Sequence, residues 1–269
     1  MTGRSAIDLD DLEQEDATYQ AAIQQVLHEL AEFDLPVQLV HRQHLSTVDF
    51  GMFTVVVAVG QDGLVANTAK YVGRTPIIGV NPDPRRFDGV LLPFHVTNMR
   101  PVSLARVTLH DGQTMLAFND LFVGVRSHVS ARYQLRVNNA QEQQSSSGLL
   151  ISTGAGSTGW MSSVYQMALG VAARAGAQWP EKSLPSPPTL SWESRELLWA
   201  VREPFKSQRS GVSLVAGSLP PDAVLEVESQ MAGNGVIFSD GVEADFLEFN
   251  SGTIAQIAIA PQQVALVTR

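Results

Sequence analysis

The chain changes texture near residue 99, and that change limits its folds more than any other feature. Before it, short apolar runs stand at 37–40 (VQLV), 53–59 (FTVVVAV) and 76–80 (PIIGV). In residues 17–33, ATYQAAIQQVLHELAEF, the apolar positions Ala22, Val26, Leu30 and Phe33 recur at helical spacing with polar residues on the other face, which predicts one amphipathic helix. A second helix is predicted from about 64 to 72. Strands alternating with helices imply a parallel, helix-covered sheet. After residue 99 come ARVTLHDG, TMLAFNDLFVGV, ARYQLRVNN, SGLLIST, GVSLVAGS, AVLEVES, GVIFSDG and TIAQIAIA, short β-rich pieces punctuated by turn residues. The fold class is therefore an α/β domain over residues 1–98 followed by a mainly antiparallel β domain over 99–269, with the last segment able to pack back on the first. Residues 141–148 (QEQQSSSG) read as a surface loop, and 180–191 (PEKSLPSPPTLS) are too rich in proline for regular structure.

Composition narrows the function. At 269 residues and 44% hydrophobic, the chain can bury a substantial core and is long enough for two domains. No stretch approaches the ~18 uninterrupted apolar residues of a membrane span. The start, with Asp8, Asp10, Asp11, Glu13, Glu15 and Asp16, is the opposite of a basic targeting signal, so a soluble, cytoplasmic protein with no membrane partner is expected. The absence of cysteine excludes disulfides, thiolate metal sites and a cysteine nucleophile. A net charge of −9 argues against a nucleic-acid partner, so any anionic ligand must be met by local donors.

Four segments carry candidate chemistry. TVVVAVGQDGLV, residues 54–65, runs a buried strand into Gly60, Gln61, Asp62 and Gly63. A glycine-flanked turn that opens a helix offers N–H groups and a positive helix end to phosphates, although an ordinary turn with a solvated Asp has the same pattern. IGVNPDPRRFDGVLL, 78–92, sends a second strand into an Asn-Pro-Asp-Pro turn that should lie beside the first loop if the two strands are neighbours. LAFNDLFV, 116–123, sets Asn119 and Asp120 in an apolar run, where an amide and an acid must find partners, solvent or a ligand. GLLISTGAGSTGW, 148–160, leads a buried strand into glycines and hydroxyls that end on Trp160, whose ring could stack on a base. His41 and His44 lie three apart in a segment read as loop or strand end and make no persuasive metal set.

Taken together, these segments resemble the NAD kinase family, whose marks are a GGDG loop, an Asn-Glu/Asp pair and a TGSTAY-like loop in that order. Here they read GQDG at 60–63, Asn119-Asp120, and GAGSTGW at 154–160. The match looks closest to the mitochondrial-type branch through GVNPDPRR at 79–86, SSGLLISTGAGS at 146–157, REPF at 202–205 and LEFNSGTIAQI at 247–257. The resemblance implies an α/β nucleotide-binding domain, a β-rich NAD-binding domain with the site in the cleft between them, and a homo-oligomer such as a dimer. It implies that Asp62 activates the 2′-hydroxyl of the adenosine ribose of NAD, with Gly60, Gln61 and Gly63 facing the phosphate donor. Asn119 and Asp120 would hold the dinucleotide, and Thr158, Gly159 and Trp160 would line its adenosine end. Asp240-Gly241 is read as a structural turn. Mg²⁺ would arrive with ATP, so no all-protein metal cage is required. The resemblance leaves polyphosphate open as an alternative donor.

The chain departs from this pattern at three places. Gln61 replaces a glycine and Leu64 a hydroxyl in the phosphate loop. A left-handed backbone there would cost Gln about 1–2 kcal/mol, and its side chain could fill space a donor phosphate needs. Residues 1–16 are too polar and acidic to be the family's opening strand. Three readings follow: an NAD kinase; a weak or inactive relative that binds NAD or NADP as a sensor; and, less favoured by the adenosine-side loop, a lipid or sphingoid kinase.

Overall fold

The computed structural model describes residues 9–33, 36–87, 89–92, 98–178 and 185–268. The chain divides into two compact units, Met1–Met99 with Ala265–Arg269, and Arg100–Val264.

In the first unit, α1 (Leu9–Ala31) starts earlier than its apolar spacing predicts. Its acidic first turns suit the positive end of the helix dipole, which explains why a segment too charged for a strand is helical. Residues 1–8 lie outside the described residues. Phe33, placed on the apolar face, falls beyond the helix and is exposed. The strand expected at 37–40 does not form: Val37 and Leu39 are exposed in irregular chain, and a 3-10 helix (Arg42–Thr47) follows. Alternation alone does not make a strand where no neighbour supplies a ladder.

Next, β1 (Val56–Val59) leads into α2 (Asp62–Ala69), which leads into β2 (Ile77–Val80). The two strands are parallel, with Val56 opposite Ile77 and Val59 opposite Val80. The apolar side of α2 buries Val65, Ala66 and Ala69.

The second unit runs β3 (Asn98–Leu109), β4 (Thr114–Ala117), β5 (Asp120–Val125), β6 (Ala131–Val137), β7 (Ala140–Ser146) and β8 (Leu149–Ser152). There follow α3 (Trp160–Arg174), β9 (Leu197–Val201), β10 (Ala216–Leu219), β11 (Leu225–Ser229), β12 (Gly235–Ser239), β13 (Phe246–Glu248) and β14 (Ile254–Thr268). One sheet has the order β10-β9-β8-β5-β12-β13 and is antiparallel throughout. In the other, β14 pairs with β3 and β11, β3 with β4, and β11 with β6, which pairs with β7. The strand period of two sorts β8 and β9 cleanly. Leu149, Ile151, Leu197 and Trp199 join the core that also takes Tyr133 and Ile257 from the other sheet. Leu150, Leu198 and Ala200 face Met161 of α3.

Two elements differ from expectation. Residues 140–146 form a strand, not a surface loop, because they pair along their whole length with β6 and most of their buried polar groups find partners: Gln144 donates to Glu142 Oε1 and Leu214 O, and Ser146 pairs with the Tyr133 hydroxyl and the Gly148 N–H. Helix α3 had no counterpart in the sequence reading, although Met161, Val164 and Tyr165 keep helical spacing. Residues 185–190 carry no helix or strand, and 180–184 lie outside the described residues.

Candidate functional site

The GQDG segment lies where strand becomes helix. Gly60 closes β1 by donating its N–H to Val80 O (3.0 Å). A Cβ at Gly60 would sit 2.7 Å from Leu64 Cδ2, so the leucine that replaces a hydroxyl covers this glycine. Gln61 is the N-cap of α2 at φ −80° and ψ 168°, exposed, and its side chain makes no capping bond. The left-handed strain considered for Gln61 is therefore absent. Gly63 is exposed and nothing stands within 4 Å of a Cβ built there.

Asp62, half-buried at the start of α2, uses both carboxylate oxygens. Oδ2 accepts the Val90 N–H (2.9 Å) and Oδ1 the Leu91 N–H (3.0 Å). The turn that presents these amides is braced by Asn81, which accepts the Asp83 N–H (3.0 Å) and donates to Phe87 O (2.8 Å). Helix α1 supports the same region: Tyr19 donates to Val59 O (2.9 Å), and Glu15 pairs with Arg86 (3.0 Å). The turn does lie beside the first loop, as the parallel pairing of β1 and β2 requires. A cleft of about 500 Å³ in this unit is lined by Phe50, Phe53, Tyr71 and Arg74 among others, and by none of Gly60, Gln61, Asp62 or Gly63.

In the second unit the corner between β4 and β5 carries Asn119 and Asp120. Asp240, at φ +54° after β12, accepts the backbone N–H groups of Phe118 (3.1 Å), Asn119 (2.6 Å) and Asp120 (3.2 Å). Thr153, at the end of β8, returns two bonds, N–H to Asn119 O (2.9 Å) and Oγ1 to Phe118 O (2.5 Å). The corner's backbone is thus fully held, while its side chains are not. Asn119 has no side-chain partner among the described residues, and Asp120 Oδ1 is buried without one. Burial pushes the Asp120 carboxyl up to about 7; the neighbouring Asp240 carboxylate adds to this and the Ser152 hydroxyl opposes it. Ser152, opposite Asp120 in the ladder, is a member of the cluster the sequence reading missed. Only a correct pairing of β5 with β8 would have found it.

The glycine loop divides in two. Its first part is packing: a Cβ on Gly154 would fall 1.9 Å from Ser191 O, and one on Gly156 2.3 Å from Asn119 O. Ser157, fully buried, donates to Gly154 O (2.8 Å) and accepts from the Leu190 N–H (3.2 Å). Its second part, Thr158 and Gly159, is exposed at the start of α3. Trp160 stacks on Phe122, ring centroids 5.7 Å apart and 12° from parallel, with the Arg202 guanidinium 5.2 Å from its ring. One face of the indole is therefore taken within the fold. Asn119 and Asp120 are brought to the loop's packed half, whereas Asp62 and its neighbours belong to the other unit.

No family model matches the chain. It is similar to NAD kinase 2, mitochondrial, of Rattus norvegicus, 24% identical over 268 aligned positions that cover 69% of this chain and 62% of that protein. The chain therefore spans less than two thirds of the length of this relative. The crystal structure of an NAD kinase from Archaeoglobus fulgidus in complex with ATP superposes with a TM-score of 0.61 at 17% identity, covering 91% of this chain and 88% of that one. The chain is similar in sequence to the one and shares the fold of the other. A yeast NADH kinase complexed with NADH agrees, with a TM-score of 0.57 at 15% identity over 81% of this chain and 62% of that one. The resemblance read from GQDG, Asn119-Asp120 and GAGSTGW thus points to a family whose α/β and antiparallel β architecture this chain shares.

Proposed function

We propose that the chain transfers the terminal phosphoryl group of ATP, or of a related donor such as polyphosphate, to the 2′-hydroxyl of the adenosine ribose of NAD, giving NADP. The observation that carries this reading is the Asn119–Asp120 corner, whose backbone is locked by Asp240 and Thr153 while an amide and a buried carboxylate oxygen remain unmatched. Unmatched buried polar groups are costly, and a ligand hydroxyl or amide would satisfy them. The fold and the relative named NAD kinase 2 support the same reading. Thr158, Gly159 and the free part of Trp160 would border the adenosine.

In the step itself, the donor's bond to its terminal phosphorus breaks, the ribose 2′-oxygen takes that phosphorus, and the hydroxyl proton passes to Asp62. Protein catalysis of such transfers rests on alignment and charge neutralisation. Mg²⁺ would enter with the donor and neutralise its phosphates. Self-association into a dimer is part of the proposal and is supported by exposed Met167 and Val171, one turn apart on α3.

The second reading, an NAD(P)-binding protein with little turnover, is favoured by Leu64 lying over Gly60. NADP formation from NAD by purified protein with Mg²⁺ and either ATP or polyphosphate separates the two. Turnover supports the first. Calorimetric NAD binding without product supports the second, and absence of both overturns the NAD assignment.

A further inference from the structure

The two amides on Asp62 come from a segment with its own construction. Gly89 has φ +62°, and a Cβ there would stand 2.9 Å from Asn81 Nδ2 and 2.9 Å from Leu92 Cδ1. Leu91 and Leu92 are buried, which anchors the turn, while Val90 is 73% exposed. Asn81 closes the preceding turn at both its ends, and Asp83 adds a bond from the Arg85 N–H (3.1 Å). From this braced turn the Val90 and Leu91 N–H groups converge on one carboxylate across a sequence separation of 28 and 29 residues.

We infer that residues 81–87 and 89–92 form a positioning device for Asp62, with Asn81 and Gly89 as positioning residues that act through the Val90 and Leu91 amides. The inference rests on the reading of Asp62 as the group that takes the ribose proton. A carboxylate has about four lone-pair sites, and two amide bonds fill two of them. The clamp fixes the carboxylate's plane and its side-chain rotamer and still leaves each oxygen able to accept from a hydroxyl. Without the clamp, a side chain at the first position of a helix is free to rotate toward solvent or to cap its own helix. Glycine is needed at 89 because the chain must turn with positive φ in a space that admits no Cβ. Asn81 and Gly89 thus have a task in the chemistry that runs through the Val90 and Leu91 amides.

Hydrogen exchange and kinetics together test the inference. Asp62→Ala should speed amide exchange in peptides covering 89–92 while β1 and β2 stay protected; unchanged exchange at 89–92 would show that no clamp operates in solution. Gly89→Ala and Asn81→Ala should lower kcat on the order of 10²-fold, the effect of a misplaced reacting group, with KM and Kd for NAD unchanged. Wild-type kcat in both variants, or a loss that appears in KM or Kd for NAD, overturns the positioning role. If Gly89→Ala fails to fold, Asn81→Ala carries the kinetic arm and the exchange arm stands without either. Wild-type turnover in Asp62→Ala would instead sink the assignment of Asp62 as base and leave the exchange result as evidence on the clamp alone.

Discussion

Asp120 is an acid that the fold prefers protonated. Its carboxyl is raised from an ordinary value of 3.8 to about 7, chiefly by burial. For an acid raised on folding, the native state holds the proton more tightly than the unfolded chain, so the associated stability is complete below about pH 4 and is lost as pH rises through about 7. Asp120→Asn keeps the shape and removes the charge. Thermal melts at pH 5 and pH 8 should therefore show the wild type losing more Tm than the variant, and equal losses would mean that Asp120 is not buried as described. Gln61 gives a second residue-scale prediction. Its negative φ removes backbone strain as a cause of any deficit, which leaves the side chain. Glycine is tolerated at an N-cap at a cost of a few tenths of a kcal/mol, so Gln61→Gly should barely change stability. If the side chain crowds the donor, the same change should raise kcat/KM for ATP and leave NAD affinity alone. A fall in kcat/KM would show that the amide helps to bind phosphate.

At the scale of elements, glycines that look alike in sequence have different work. Gly156 lies against the carbonyl of Asn119, whereas a Cβ on Gly159 would meet only Gly156 O at 3.4 Å, with negative φ at that residue. Gly156→Ala should displace the Asn119 corner and destabilise the second unit by ~1–3 kcal/mol, the usual cost of overpacking, while Gly159→Ala should cost less than ~1 kcal/mol. Chemical denaturation distinguishes them, and equal effects would contradict the packing. This contrast marks how far the sequence could be read. The strand-helix-strand unit and the chain of β pieces were legible because burial imposes a period on each element, and the site segments because polar residues interrupt apolar runs. The 140–146 strand was hidden because its buried groups are polar and find partners far away in sequence, notably Gln144 with Leu214 O. The VQLV segment misled for the opposite reason: its composition suits a strand, but no described neighbour pairs with it. The double use of Asp62 was likewise invisible, since no local pattern announces that two amides 28 and 29 residues on will meet it.

At the scale of the whole molecule the proposed roles separate by unit. Asp62 belongs to the first and Asn119 with Asp120 to the second. Asp62→Ala should abolish most turnover, as loss of a general base does by about 10² to 10⁴-fold, and keep NAD affinity. The pair Asn119→Ala with Asp120→Ala should weaken NAD binding by ~2–6 kcal/mol if each side chain makes a buried bond worth ~1–3. Identical calorimetric affinities in the wild type and the pair would remove both residues from the binding site. The chain's last strand poses the final test. Most of β14 pairs within the second unit, yet Leu266, fully buried, stands opposite Ile77 of β2 in the first. The first unit thus draws part of its sheet from the far end of the chain, and β2 without it would lose a neighbour. Leu266→Ala should cost ~2–5 kcal/mol, the usual range for a buried leucine. The loss should fall on the first unit, because the core of the second is built from its own facing sheets. Hydrogen exchange should then show β1 and β2 opening first, with β5, β8 and β12 still protected. Equal loss of protection in both sets would mean that the two units unfold as one and that Leu266 supports them together.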